Sequence, residues 1–210
     1  TRSAFVTGVQ TCALPISCDP AQFTAANKTR WPDTPQDQQC LAGAVCNNHA
    51  PTFWSTKRLS TITTQYNAGA GPVRVDSYQL NQSFPSTTTD SDRELGLDSL
   101  VRTGFDAGGA SISLPATRFT SQLLHNRVPG FNSQPAMAHW RLTSISTDTG
   151  SQIDVSYSLP ECGLGNMPGD PANNAKRCFP VFWTQPFQSD PTLDYFHSVQ
   201  IGRALCRERV

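Results

Sequence analysis

The chain has 210 residues and equal numbers of basic and acidic side chains, 16 of each, so it lacks the charge excess through which proteins bind nucleic acid or other polyanions. Leu, Ile, Val and Phe fill only 43 positions, against 42 for Ser and Thr with 14 Gly and 16 Pro beside them, a composition that in a neutral chain suits strands and turns rather than disorder. No apolar run nears the ~18 residues of a membrane helix and no long segment keeps a 3.6-residue apolar period, which excludes membrane insertion by a helix and a helical bundle.

In residues 1–17, Arg2 precedes Ala4, Phe5 and Val6 as in a signal peptide, but Thr7, Gly8, Gln10 and Thr11 break the apolar run such a signal needs. Residues 6–16 (VTGVQTCALPI) instead resemble a sequencing-library adapter read in one frame, and residues 200–210 (QIGRALCRERV) resemble its partner adapter. Both ends are expected to be foreign to the natural chain, which then runs from about Cys18 to about Val199, and are set aside in reading the fold.

Residues 18–51 form a loop-rich lead-in interrupted by Pro20, Pro32, Pro35 and Pro51, with one short helix-compatible stretch, 20–28. Without Cys12 and Cys206 of the two ends, five cysteines remain: Cys18, Cys40, Cys46, Cys162 and Cys178. In a Ser/Thr-rich chain the economical reading is an exported protein with disulfides Cys40–Cys46 and Cys162–Cys178, leaving Cys18 for a partner upstream. The rival for Cys40, Cys46 and His49 is a metal site, but their spacing departs from the C-x(2–4)-C knuckle and no second Cys/His cluster lies nearby. No metal or cofactor is expected.

Residues 52–199 read as an antiparallel β region, with short Thr-, Val-, Ile- and aromatic-rich runs between Gly/Asn/Asp/Pro clusters. Strands are predicted at 53–66, 73–84, 95–105, 110–114, 117–128, 140–147 and 152–159. Tyr78, Leu80 and Phe84 share one face of their strand, and Ile153, Val155 and Tyr157 one face of theirs, as in a half-buried sheet. The turn residues Thr147 to Ser151, with Gly150 free to take positive φ, predict a hairpin between 140–147 and 152–159.

One phrase recurs. Arg58, Leu59 and Ile62, with Phe53 and Trp54 ahead of them, match Arg141, Leu142 and Ile145, with Trp140 ahead, as R-L-[ST]-[ST]-I-[ST]-T; a weaker echo holds Leu97 and Leu100. It reads as a repeated strand-pair module or as coincidence in a Ser/Thr-rich chain. The three-residue step from Leu to Ile is odd for a flat strand and implies a bulge or burial on both faces.

Residues 51–65 (PTFWSTKRLSTITTQ) and 75–85 (VDSYQLNQSFP), then 125–128 (HNRV), 141–145 (RLTSI) through Tyr157, 177–183 (RCFPVFW, ending in Trp183) and 194–197 (DYFH) resemble, in that order, actinobacterial RHS (rearrangement hotspot, YD-repeat) proteins. The resemblance implies a segment N-terminal to the tandem repeats of a very large exported protein, on the bacterial surface or secreted. In that family strands wind into a hollow β-shell around a C-terminal toxin, so the implied fold is all-β with curved antiparallel sheet. The implied partners are the rest of the same parent chain, its shell and its toxin tip. The signature Y-D-x-x-G-R-L and the D-P-x-G element of family self-cleavage are both absent here.

Nothing in the sequence frames catalysis. His49, His125, His139 and His197 lack a positioned partner in sequence; no G-x-S-x-G or H-E-x-x-H occurs; the Gly-rich run from Cys162 lacks the Gly-Lys-[Ser/Thr] of a phosphate loop. Asp90, Asp92, Arg93 and Glu94 read as solvated turn residues. Trp31, Trp54, Trp140 and Trp183 support the alternative of a carbohydrate-binding β module, since exposed indoles stack on sugars; the structural alternative is that they plug the sheet with each N–H partnered.

Overall fold

The computed structural model describes residues 2–6, 9–10, 20–46, 53–67, 69, 71–87, 93–133, 137–184, 189–198 and 201–207. The protein is all-β and antiparallel. Its strands are β1 (Arg2–Val6), β2 (Val9–Gln10), β3 (Arg58–Leu59), β4 (Thr61–Asn67), β5 (Pro72–Ser83), β6 (Gly96–Phe105), β7 (Ser111–Ser113), β8 (Thr117–His125), β9 (Ala138–Ser146), β10 (Gln152–Tyr157), β11 (Cys178–Trp183), β12 (Thr192–His197) and β13 (Ile201–Arg207). The lead-in holds three 3₁₀ turns, Pro20–Gln22, Ala25–Arg30 and Gln36–Gln38. The last two end on Trp31, which is buried and meets Phe23 edge-on at 5.3 Å, and on a loop closed by the Cys40–Cys46 disulfide.

Nine strands form one sheet in the order β1-β4-β5-β6-β8-β9-β10-β13, with β7 also on β6; β11 and β12 form a separate hairpin, and β2 pairs with β3. The predicted hairpin is β9–β10, with Ser146 opposite Gln152 and Ile145 opposite Ile153, and its turn uses Gly150 at φ +87°. Three sequence expectations need correction. The strand predicted from residue 53 starts at Arg58 and breaks at Ser60, because Arg58 and Leu59 pair with β2 whereas Thr61 onward pairs with β5. The strand predicted to run to 128 leaves the large sheet at His125; residues 126–128 turn to bond β12 through Val128 N–H to the Tyr195 carbonyl at 2.9 Å and His197 N–H to the Asn126 carbonyl at 2.6 Å. The β11–β12 hairpin was not among the predicted strands. Pro180 in β11 argues against an interior strand, and β11 tolerates it by lying outside β12.

The register shifts place one extra residue at each of four positions: Val75 on β5, Asp98 on β6, Thr143 on β9 and Gly202 on β13. Such bulges bend a strand and increase its twist, so the sheet is curved rather than flat. They also settle which residues share a face, since directly opposed residues of an antiparallel pair point the same way. Leu142 opposes Ser121 and Ile145 opposes Phe119, so both lie on the face of Phe119, and the extra Thr143 between them explains the three-residue step. Leu97 and Leu100 repeat this across Asp98, opposing Gln82 and Leu80.

Following the registers across the sheet gives one apolar face, with Ile62, Tyr78, Leu80, Leu100, Phe119, Ile145, Ile153 and Val155. The other is dominated by Thr61, Thr63, Ser77, Gln79, Ser99, Thr103, Arg118, Thr120, Ser144 and Asp154. Burial is nonetheless concentrated elsewhere. The buried apolar cluster is Val128, Cys162, Cys178 and Tyr195, with Phe131, Met167 and Leu193 packed on it, where residues 126–133 and the loop from Cys162 meet the β11–β12 hairpin. The fold is a broad sheet with a small core at one corner.

Candidate functional site

Three of the sequence fragments that carry the family resemblance converge on that corner. The bridge pairing sets Arg127 opposite Phe196, and the β11–β12 register puts Asp194 opposite Val181 with Trp183 one pair further along the same face. The Trp183 indole N–H donates to Asp194 Oδ2 at 2.8 Å, and Arg127 Nε lies 3.8 Å from the same oxygen. The Arg127 guanidinium sits 5.8 Å from the Trp183 ring centroid and 5.6 Å from that of Phe196, and it also donates to Met137 Sδ at 3.3 Å. Phe179 stacks on Phe196 at 5.9 Å. A planar, weakly hydrated guanidinium is suited to such an aromatic setting. Asp194 is fully buried and Arg127 is 4% exposed, so the pair is shut off from solvent and clamps the hairpin to residues 126–128. On the opposite face of the hairpin the Cys162–Cys178 disulfide, with Cα atoms 6.1 Å apart, ties the loop from Cys162 into the same core.

Beside the clamp lies an open, mainly apolar groove of about 480 Å³ between Leu123, Leu124, His125, Pro129, Leu164 and His197. His197 is 9% exposed and its Nδ1 has no hydrogen-bond partner. Burial, then the neighbouring His125, hold its pKa below the usual histidine value. The native state therefore favours the neutral ring. As pH falls below about 6.5 the unfolded chain takes up the proton first, and stability is lost down through the lowered native pKa. Urea midpoints are expected to drop between pH 7.5 and pH 5, and His197→Gln is expected to flatten that drop; an unchanged profile in the variant would assign the acid sensitivity to another group.

The recurring phrase is dispersed. Phe53 is 92% exposed and Trp54 half-buried, both ahead of β3. Arg58 donates to Gln82 Oε1 at 3.2 Å and covers the Phe84 ring at 5.8 Å, and Leu59 pairs with Val9. Ile62, Leu142 and Ile145 are half-buried on the apolar face. Trp140 donates its indole N–H to the Ser86 carbonyl at 3.3 Å, Arg141 bonds the Asn126 side chain, and the Tyr157 hydroxyl donates to the Leu142 carbonyl at 2.8 Å. Trp183 alone of these residues enters the clamp. Glu94, read as solvated, instead contacts His139 and accepts from the Trp140 backbone N–H at 3.2 Å, latching its loop to the start of β9. Asp90, Asp92, His49 and Cys18 lie outside the described residues.

Arg127 and Asp194 were missed as a pair because 67 positions separate them. A usable signal was present: Asp194 interrupts the otherwise apolar Leu193, Tyr195 and Phe196, and a lone charge inside an apolar strand needs a buried partner. The Cys40–Cys46 disulfide withdraws both thiolates from any metal, and no group of three or more metal-ligating side chains occurs among the described residues. Two disulfides point to an oxidising compartment; no helix among the described residues is long and apolar enough to cross a membrane. Compared with known proteins, the chain matches no family model, and neither a curated protein nor a solved structure is similar to it.

Proposed function

We propose that residues 18–199 are a structural wall segment, a piece of the β-shell of a large exported RHS-repeat protein of the polymorphic-toxin or intercellular-competition type, acting as scaffold without catalysis of its own. The observation that carries this reading is the state of the sheet edges. β4 is paired along Ile62 to Tyr66 with β1, and β10 along its whole length with β13. Both partner strands come from the end segments set aside as foreign: β13 lies inside the adapter-like residues 200–210, and β1 runs into the adapter-like residues 6–16 at Val6. On this reading the natural edges are β4 and β10, and each accepts a full antiparallel strand, as a wall continued on both sides by the parent chain requires. Curvature from the three bulges within this segment, at Val75, Asp98 and Thr143, and the small core agree with a segment that relies on neighbours. The family assignment rests on the sequence resemblance, and bacterial surface or secreted location follows from it together with the disulfides.

Deleting residues 1–17 and 200–210 tests the edges. The trimmed chain is expected to aggregate through β4 and β10 or to lose its sharp melt, while the full chain stays soluble. A trimmed chain that remains a soluble monomer with a cooperative melt would speak against the wall reading. The alternative, a carbohydrate-binding module, has Trp54 and Trp140 as its remaining platforms, because Trp31 is buried and Trp183 is bound to Asp194.

A further inference from the structure

The registers expose a pattern that edge pairing does not use. Among the described side chains, every large apolar residue of the nine-stranded sheet that is exposed lies on one face. Tyr66 alternates with Ile62 and Thr64; Leu97 opposes Gln82; Ile112 opposes Gly104; Trp140 opposes Leu123; Ile201 opposes Tyr157. Leu114, just past β7 and bonded to the Arg102 carbonyl, continues the same face. Among the described side chains of this face only Ser60 and Ala138, near its margins, are buried. The apolar side chains of this face are therefore left half-buried or exposed, while the opposite face carries mostly Ser, Thr and Gln side chains.

We infer that this face is the contact surface for a second copy of the chain, the two sheets packing face to face as a sandwich. The area suffices. Six strands from β4 to β10 at ~4.8 Å spacing, about seven residues long at ~3.4 Å each, present roughly 650 Å² per copy and about 1,300 Å² for two, within the range of a stable specific interface. Charge does not oppose it. The net charge is zero, so two copies do not repel, and Arg102 on this face is neutralised by Asp76 at 2.9 Å. Twisted sheets of this kind pack about 10 Å apart at near-aligned strand angles, which lets Ile112, Leu97 and Trp140 of one copy enter the half-open rows of the other. The inference does not rest on the wall reading, which concerns edges.

Sedimentation equilibrium of the full chain at tens of micromolar is the test. A discrete species of twice the 22.9 kDa chain mass is expected. Ile112→Lys with Leu97→Lys, both at exposed positions, is expected to raise the dissociation constant at least tenfold with an unchanged circular-dichroism spectrum. Thr120→Lys, on the polar face, is expected to leave the dimer intact. A wild-type chain that is monomeric, one that forms open-ended aggregates without a dimer, or a double variant that dimerises like wild type would each overturn the inference.

Discussion

Asp194→Ala is expected to destabilise the chain by about 3–5 kcal/mol, the cost of breaking a buried ion pair by removing one of its members. Asp194 is fully buried beneath Arg127, Trp183 and Phe196. Its loss takes from the Arg127 guanidinium the buried carboxylate 3.8 Å away and from the Trp183 N–H its acceptor, in a region water does not reach. The cost should fall on the β11–β12 hairpin and its junction with residues 126–128, which hold Val128, Cys178 and Tyr195 of the buried apolar cluster. Replacing both charges at once, Arg127→Met with Asp194→Leu, should cost far less than either single change, because no uncompensated charge is then buried. Urea denaturation followed by circular dichroism measures all three variants. A cost below ~1 kcal/mol for Asp194→Ala would place that pair in a solvated rather than a sealed environment.

Loss of the Cys162–Cys178 bridge carries the second large effect. The disulfide closes a loop of 15 intervening residues, which on loop-closure entropy is worth about 3 kcal/mol, and both sulfurs are part of the buried cluster. Cys162→Ser with Cys178→Ser should therefore cost at least that much. Cys40→Ser with Cys46→Ser, on an exposed loop, should cost about 2 kcal/mol or less and leave the β11–β12 region unaffected. Thiol titration of denatured, unreduced chain made in an oxidising compartment should find at most three free thiols among the seven cysteines. Seven would refute both bridges, and equal costs for the two double variants would deny the second bridge its place in the core.

The large sheet was legible because its strands carry their own turn chemistry. Gly150 and its neighbours marked the β9–β10 hairpin, and short Thr- and Val-rich runs marked β5, β6 and β8 to within a few residues. The repeated Leu-to-Ile step was legible as an irregularity, and it lies where the chain breaks at Ser60 and bulges at Thr143. Amphipathicity was partly hidden. Each bulge shifts the period-2 pattern by one residue, so Leu142 and Ile145 share a face that strict alternation would split. The clamp was hidden for another reason: Arg127 and Asp194 meet only through tertiary pairing, and Pro180 disguised the strand that brings Trp183 to them. Setting the two ends aside also removed β1 and β13 from view, since an open edge accepts a strand through its backbone whatever the side chains.

The most direct test is to sequence the genomic DNA on both sides of the codons for residues 18–199. The account predicts continuous reading frame in both directions, with an export signal upstream, tandem Y-D repeats downstream and a toxin-like tip at the far end. A stop codon shortly after residue 199, or a flanking frame without such repeats, would contradict it.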